Sequence, residues 1–252
     1  MRIIRDELPQ ESLFSLKEMY LMSCTSTGKS RRLLSKSPTQ RHKLEHNNMH
    51  LMDGMNMSDP NGFPYLKPFN GNIDHEFIPF SKRRSVNPED FGVHFFEDDY
   101  KFKTATWHNL EQTTFKLHSY RTLMCPDHSL FIEEDLYSFL NKESVYRSRF
   151  AGAYWQNCGY DVIPTASWGG ADSFDYCFES LPKKSIIAVC GVGIDSCRNA
   201  RDLWEYGLRE LELRVEPTKL LIYGEERSIS GLSTPTVFIP AFVKSRIKRP
   251  QQ

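Results

Sequence analysis

A chain of 252 residues with 32 Lys and Arg against 32 Asp and Glu carries no net charge, which excludes a polybasic, histone-like protein but leaves room for local patches. Its apolar share of 39% lies below the roughly 45–50% of an average globular chain, and its mean hydropathy is -0.51, so part of the chain is expected to stay outside the core. No run approaches the roughly 18 apolar residues of a membrane span, and the opening MRIIRDELPQES has acids where a signal peptide needs its apolar stretch. These features predict a cytoplasmic protein with no membrane segment.

The first 62 residues read as an arm. Leu13, Leu16, Met19 and Tyr20 follow helical spacing, which predicts a short amphipathic helix over residues 11–22. From Ser23 to Gly62 there is no Val, Ile, Phe, Tyr, Trp or Ala to anchor a core, so this stretch is expected to be flexible. Within it Lys29, Arg31, Arg32, Lys36, Arg41 and Lys43 meet no acid, a pattern that suits either a polyanion contact or a solvated tail. His42, His46 and His50 recur at helical spacing without a fourth metal ligand. The segment SCTSTGKS ends like a phosphate loop, but Ser23 replaces its first glycine and no apolar strand precedes it, so it is not read as a nucleotide site.

From residue 63 to 243 the pattern becomes α/β. Short apolar runs bounded by turn signals predict strands at Val93–Phe96, Thr122–Cys125, Tyr160–Thr165, Ser185–Cys190 and Lys219–Tyr223, with a sixth at Thr236–Pro240. Helices are expected over Ser144–Asn157 and Arg198–Arg214. Near-continuous apolar strands alternating with helices predict a parallel sheet of five to six strands, as a partial or distorted barrel or an open sheet. Residues 244–252, with Lys244, Arg246, Lys248 and Arg249, form a basic tail.

In parallel sheets the ligand lies beyond the carboxyl ends of the strands, where the loops converge. Asp98, Asp99 and Asp127 fall there and could hold a divalent metal or divide acid and base duty, or simply cap helices and solvate loops. Trp168 at a strand mouth is either a stacking platform for a ring or a core residue. Gly191, Gly193 and Ser196, between a buried strand and a helix, together with Gly224 on the next strand, could cradle a phosphate or merely serve tight turns. Arg149 and Gln156, seven apart on one helix face, could bind an anion or pair with carboxylates. The six cysteines, Cys24, Cys125, Cys158, Cys177, Cys190 and Cys197, contain no CxxC pair and are read as reduced, with Cys125, Cys158, Cys177 and Cys190 packed in or beside apolar segments.

In order along residues 62–226, the segments GFPYLKP, HFFEDDYKF, PDHS, YRSRFAGAYWQNCGYDVIPTASWGG, SIIAVCGVG and LLIYG resemble the domain-of-unknown-function 4417 family of bacteria, phages and mobile elements. The resemblance implies a bacterial or phage-borne cytosolic protein and assigns no role to any residue. The residues themselves favour an enzyme acting on a phosphorylated small molecule, a nucleotide or a nucleic-acid strand. The rival reading is a noncatalytic nucleic-acid-binding accessory protein that uses the basic arm and tail.

Overall fold

Eight short strands among the described residues, all parallel, pair in sequence order. The computed structural model describes residues 37–194 and 198–241, and the chain divides between Gly54 and Met55 into two units. In the first, α1 (Pro38–His46) starts from a capping box in which Ser37 and Gln40 exchange backbone and side-chain hydrogen bonds. It has no buried residue. The expected helix at residues 11–22, the basic residues before Ser37 and the tail after residue 243 lie outside the described residues.

In the second unit β1 (Glu76–Pro79), β2 (Phe91–His94), β3 (Leu123–Met124) and β4 (Val162–Ile163) form one four-stranded parallel sheet. A second comprises β5 (Thr165–Ala166), β6 (Ile186–Cys190), β7 (Lys219–Tyr223) and β8 (Thr236–Ile239). The described residues therefore hold eight strands in two ladders where the sequence predicts five to six in one sheet. Two physical reasons account for the difference. Glu76–Pro79 follows a stretch rich in Pro, Gly and Asn and carries too little apolar sequence to stand out. The expected strand Tyr160–Thr165 is cut by Pro164, which has no N–H to continue the ladder.

The chain repairs that cut with a side chain. The Thr165 hydroxyl donates to the Cys125 carbonyl at 3.0 Å, while the Pro164 carbonyl accepts from Ala188 N–H at 2.8 Å in the second ladder. The strand thus turns from β3 toward β6 at Pro164. Apolar residues of both ladders, among them Phe77, Met124, Ile163, Ala188, Leu221 and Ile239, pack into one interior cluster. Tyr223 of that cluster, on β7, has its ring 4.3 Å from the buried His94 ring of β2.

Helices cover the strands: α2 (Leu110–Lys116), α3 (Glu134–Asn157), α4 (Phe174–Cys177) and α5 (Arg198–Val215). The last has Trp204, Leu208, Leu211 and Val215 on its buried stripe, as its 3-to-4 spacing predicts, and stops before Pro217. Helix α3 starts ten residues earlier than its sequence pattern suggests, because Leu136 and Phe139 in its first turns are 75% and 78% exposed and mask the core-facing period. Among the described residues no helix is long and apolar enough to cross a membrane.

Candidate active site

At the carboxyl ends of β3, β5 and β6 lies a cavity of about 180 Å³. Its polar lining comes from Asp127, His128, Ser129, Ser167 and Cys190, and its apolar walls from Leu130, Ala166, Trp168, Val189 and Trp204. Three strands and one helix supply these groups for a simple reason. A parallel strand that ends at Met124, Ala166 or Cys190 must turn within a few residues, and the turns open on the same side.

Asp127 is the most perturbed carboxyl. Burial pushes its pKa up to about 7; Ser167 and Arg149 act in the opposite direction, and Asp99 adds repulsion. Its Oδ1 is shielded from solvent and has no hydrogen-bond partner. Beside it, Asp99 shows the reverse behaviour. Burial raises its pKa too, but His128 and the Ser129 backbone and hydroxyl outweigh burial and hold it at about 2. Asp99 Oδ1 accepts from the Ser129 N–H at 3.0 Å and hydroxyl at 2.9 Å, while Oδ2 stands 3.7 Å from His128 Nδ1. The His128 side chain is 3% exposed and its Nε2 has no partner. Two neighbouring carboxyls are thus driven apart, one to permanent charge and one to proton exchange near neutrality.

The remaining groups bound the chemistry. Burial pushes the Cys190 thiol up to about 12 and the Cys125 thiol up to about 11, so neither supplies a thiolate at neutral pH. The Trp204 indole donates to the Cys190 carbonyl at 2.7 Å and fixes that wall. Trp168 packs edge-on to Phe174 and Phe178, with ring centroids at 6.3 and 5.7 Å. Its other side rests on α5 at Gly207, where a Cβ would fall 2.2 Å from the indole.

Of the residues singled out in the sequence, Asp127 and Trp168 line the cavity and Asp99 touches it through His128 and Ser129. Asp98 does not join them; it is exposed and paired with Lys101 at 2.7 Å, whose ammonium lowers its pKa. Among the described residues no group of three or more His, Cys, Asp or Glu side chains is arranged to hold a metal ion. Arg149 is buried, donating to the Thr165 and Cys177 carbonyls at 2.9 and 2.7 Å. Gln156 bonds both backbone groups of Lys67 at the C-terminal end of α3 and is not among the residues that line the cavity.

Gly191 and Gly224 meet each other: a Cβ on Gly224 would lie 3.2 Å from Gly191 backbone atoms. Their N–H groups donate to the Tyr223 and Ile239 carbonyls, so the pair holds β6, β7 and β8 together. Gly193 has φ +84 with open space beyond it, and Ser196 lies outside the described residues. Sequence reasoning does not single out His128, Ser167, Cys190 or Trp204 as site residues; His128 and Ser167 directly adjoin Asp127 and Trp168, which is the signal that points to them.

Comparison with known proteins follows the same domain. Residues 55–238 match the family described as "Domain of unknown function (DUF4417)". Two relatives, each called "Gene 1 protein", come from Mycobacterium phage L5 and Mycobacterium phage D29 and are 41% and 38% identical over 145 residues. The aligned stretch covers 58% of this chain in both cases, and 62% and 53% of the respective relatives, so the chain spans little more than half the length of the proteins it matches. No solved structure matches it.

Proposed function

The chain belongs to the DUF4417 family of phage-associated domains, and from that premise we propose that it is an acid–base enzyme working at the carboxyl rim of its parallel sheets. Asp127 exchanges the proton. The observation that carries this reading is its carboxyl, solvent-shielded and unbonded at Oδ1 in the wall of a cavity, with a pKa close to working pH. His128, oriented by Asp99, is the second proton-handling group. Among the described residues no Lys or Arg lines the cavity, so a phosphorylated ligand keeps its phosphate outside it. The free thiols of Cys125, Cys158, Cys177 and Cys190 support a cytoplasmic setting.

The test joins a titration to a screen. The ¹³C shift of the Asp127 carboxyl, followed from about pH 4 to about pH 9, is expected to turn over near 7. A screen of metabolite and nucleotide mixtures for turnover is expected to find activity in the parent and none in Asp127→Asn. A midpoint in the ordinary carboxylate range, or equal turnover by both proteins, overturns the proposal. The noncatalytic nucleic-acid-binding alternative draws its support from α1, which carries Lys43 and His46 in its last turn and buries nothing. It predicts oligonucleotide binding that disappears on deletion of residues 29–43 and ignores Asp127.

A further inference from the structure

We infer that the first two turns of α3, with the segment leading into them, form a docking face for a cationic amphipathic helix of another protein. The inference does not depend on the chemistry of Asp127. Leu136, Phe139 and Leu140 follow the 3-to-4 spacing that builds one stripe on a helix, yet they stand 75%, 78% and 42% exposed. Phe131 and Ile132, just ahead of the helix, are 45% and 60% exposed. A stripe of this kind normally turns inward, as Trp204, Leu208 and Leu211 of α5 do; this one points outward. Among the described residues the other exposed large apolar side chains come singly along the chain.

The face is held in place by buried contacts. Asn141 accepts from the Phe131 N–H at 2.8 Å and donates to the Phe131 carbonyl at 2.9 Å, and the Phe131 ring lies 4.4 Å from that of Tyr137. Gly169 and Gly170 leave room for the same segment: a Cβ would fall 2.1 Å from the Phe131 carbonyl oxygen and 2.8 Å from that of Ile132. A surface fixed in this way loses little further freedom when a partner covers it. Together the five side chains expose about as much as three whole ones, roughly 450–750 Å². That matches or exceeds the largest apolar patch of an ordinary monomer, and it stays below the roughly 800 Å² per partner of a standard interface. One helix laid along the stripe covers it.

Charge selects the partner. Residues 133–143 contain the acids Glu133, Glu134, Asp135 and Glu143 and the base Lys142, a net charge of -3. The nearby cations are engaged, Lys142 over the Tyr176 ring at 5.3 Å and Arg147 with Glu143 at 2.7 Å. Such a face repels nucleic acid and anionic lipid. A second copy fares no better. An antiparallel pair centred on residue 138 sets Glu133 of each copy opposite Glu143 of the other, and a parallel pair sets the acids against themselves. A helix whose apolar stripe is flanked by Lys or Arg meets both the face and its rim.

The test uses the full chain with Ile and Leu methyl groups labelled for NMR and two synthetic helical peptides of about 18 residues. One is built of Leu and Lys with a single apolar face; the other has Glu for every Lys. The Leu/Lys peptide is expected to shift the Ile132, Leu136 and Leu140 methyls saturably, with a dissociation constant below about 100 μM, and the Leu/Glu peptide to bind at least about tenfold more weakly. Leu136→Gln with Phe139→Gln is expected to weaken the Leu/Lys peptide about tenfold or more, whereas Leu213→Gln, which removes a lone exposed leucine of α5, leaves it unchanged. All three side chains are exposed, so thermal unfolding is expected to match that of the parent. Equal binding of the two peptides by the parent overturns the proposal without recourse to any variant, as does an equal effect of the α3 and α5 substitutions. A dimer in analytical ultracentrifugation that disappears in the α3 variant assigns the face to a second copy and overturns the separate partner. Peptide binding about tenfold tighter on Arg31→Glu with Arg32→Glu assigns it to the chain's own arm, and overturns it too.

Discussion

Replacing Asp127 by Asn removes a group whose charge opposes folding, and the structure sets the size and pH window of the effect. An aspartate carboxyl in the unfolded chain titrates at 3.8, whereas Asp127 in the folded chain titrates at about 7. Between those values the folded chain holds a proton that the unfolded chain has released, so stability falls as pH rises through that window and the full penalty is present above 7. At about 1.4 kcal/mol per unit, the parent loses about 3 kcal/mol from this group between about pH 5 and pH 8, whereas the Asn variant loses none. His94 runs the other way. Its folded-state pKa is pushed down to about 3 by burial, so stability rises with pH between there and 6.5, offsetting about 2 kcal/mol of the Asp127 trend above about pH 5. The parent curve alone therefore looks flat, and the informative quantity is the difference between variant and parent. That difference is expected to widen by about 3 kcal/mol from pH 5 to pH 8, or about 6–12 °C in unfolding temperature for a domain of this size. Thermal unfolding followed by circular dichroism at several pH values measures it. Parallel curves would show that Asp127 titrates as an ordinary carboxyl, and the acid–base reading would fall with it.

Other outcomes follow from single contacts. The His94 imidazole, fully buried with Nδ1 accepting from the Phe96 N–H, is expected to stay neutral in NMR titrations down to about pH 4. A midpoint near 6 would mean that solvent reaches it. Gly207→Ala is expected to destabilise by about 1–3 kcal/mol and to shift tryptophan emission, since the new Cβ meets the Trp168 indole; a gain of the helix-propensity size, about 1 kcal/mol, would place Trp168 elsewhere. Arg149→Met is expected to lose about 3–5 kcal/mol in urea unfolding, because two buried carbonyls lose their donor. Near-neutral behaviour would show that water can replace the guanidinium.

The α/β plan was legible because β6 and β7 are written as continuous apolar runs, IIAVC and KLLIY, that bury nearly every side chain. Pro164 was visible too, yet its consequence depends on the Thr165 hydroxyl taking over the Cys125 carbonyl, a contact 40 residues apart that no local pattern encodes. The rim rule led to Asp127 and Trp168. It could not separate Asp98 from Asp99, adjacent residues of which one pairs with Lys101 in solvent and the other reaches across to Ser129, 30 positions along. Helical spacing put Arg149 and Gln156 on one face but says nothing about which end of a 24-residue helix meets the site. His128 was missed because sequence does not show which of several consecutive strand-end side chains turns inward.

The break at Pro164 has a consequence for how this domain can diverge. Asp127 hangs from the first ladder, whereas Ser167, Trp168 and Cys190 hang from the second, and the two are hydrogen-bonded as separate sheets. Substitutions that re-register one ladder re-aim one half of the cavity and leave the other half's backbone bonds untouched. The Asp127 side of the cavity and its Trp168 and Cys190 wall are thereby inherited on separate pieces of backbone, and relatives can change one side of the lining while keeping the other in place.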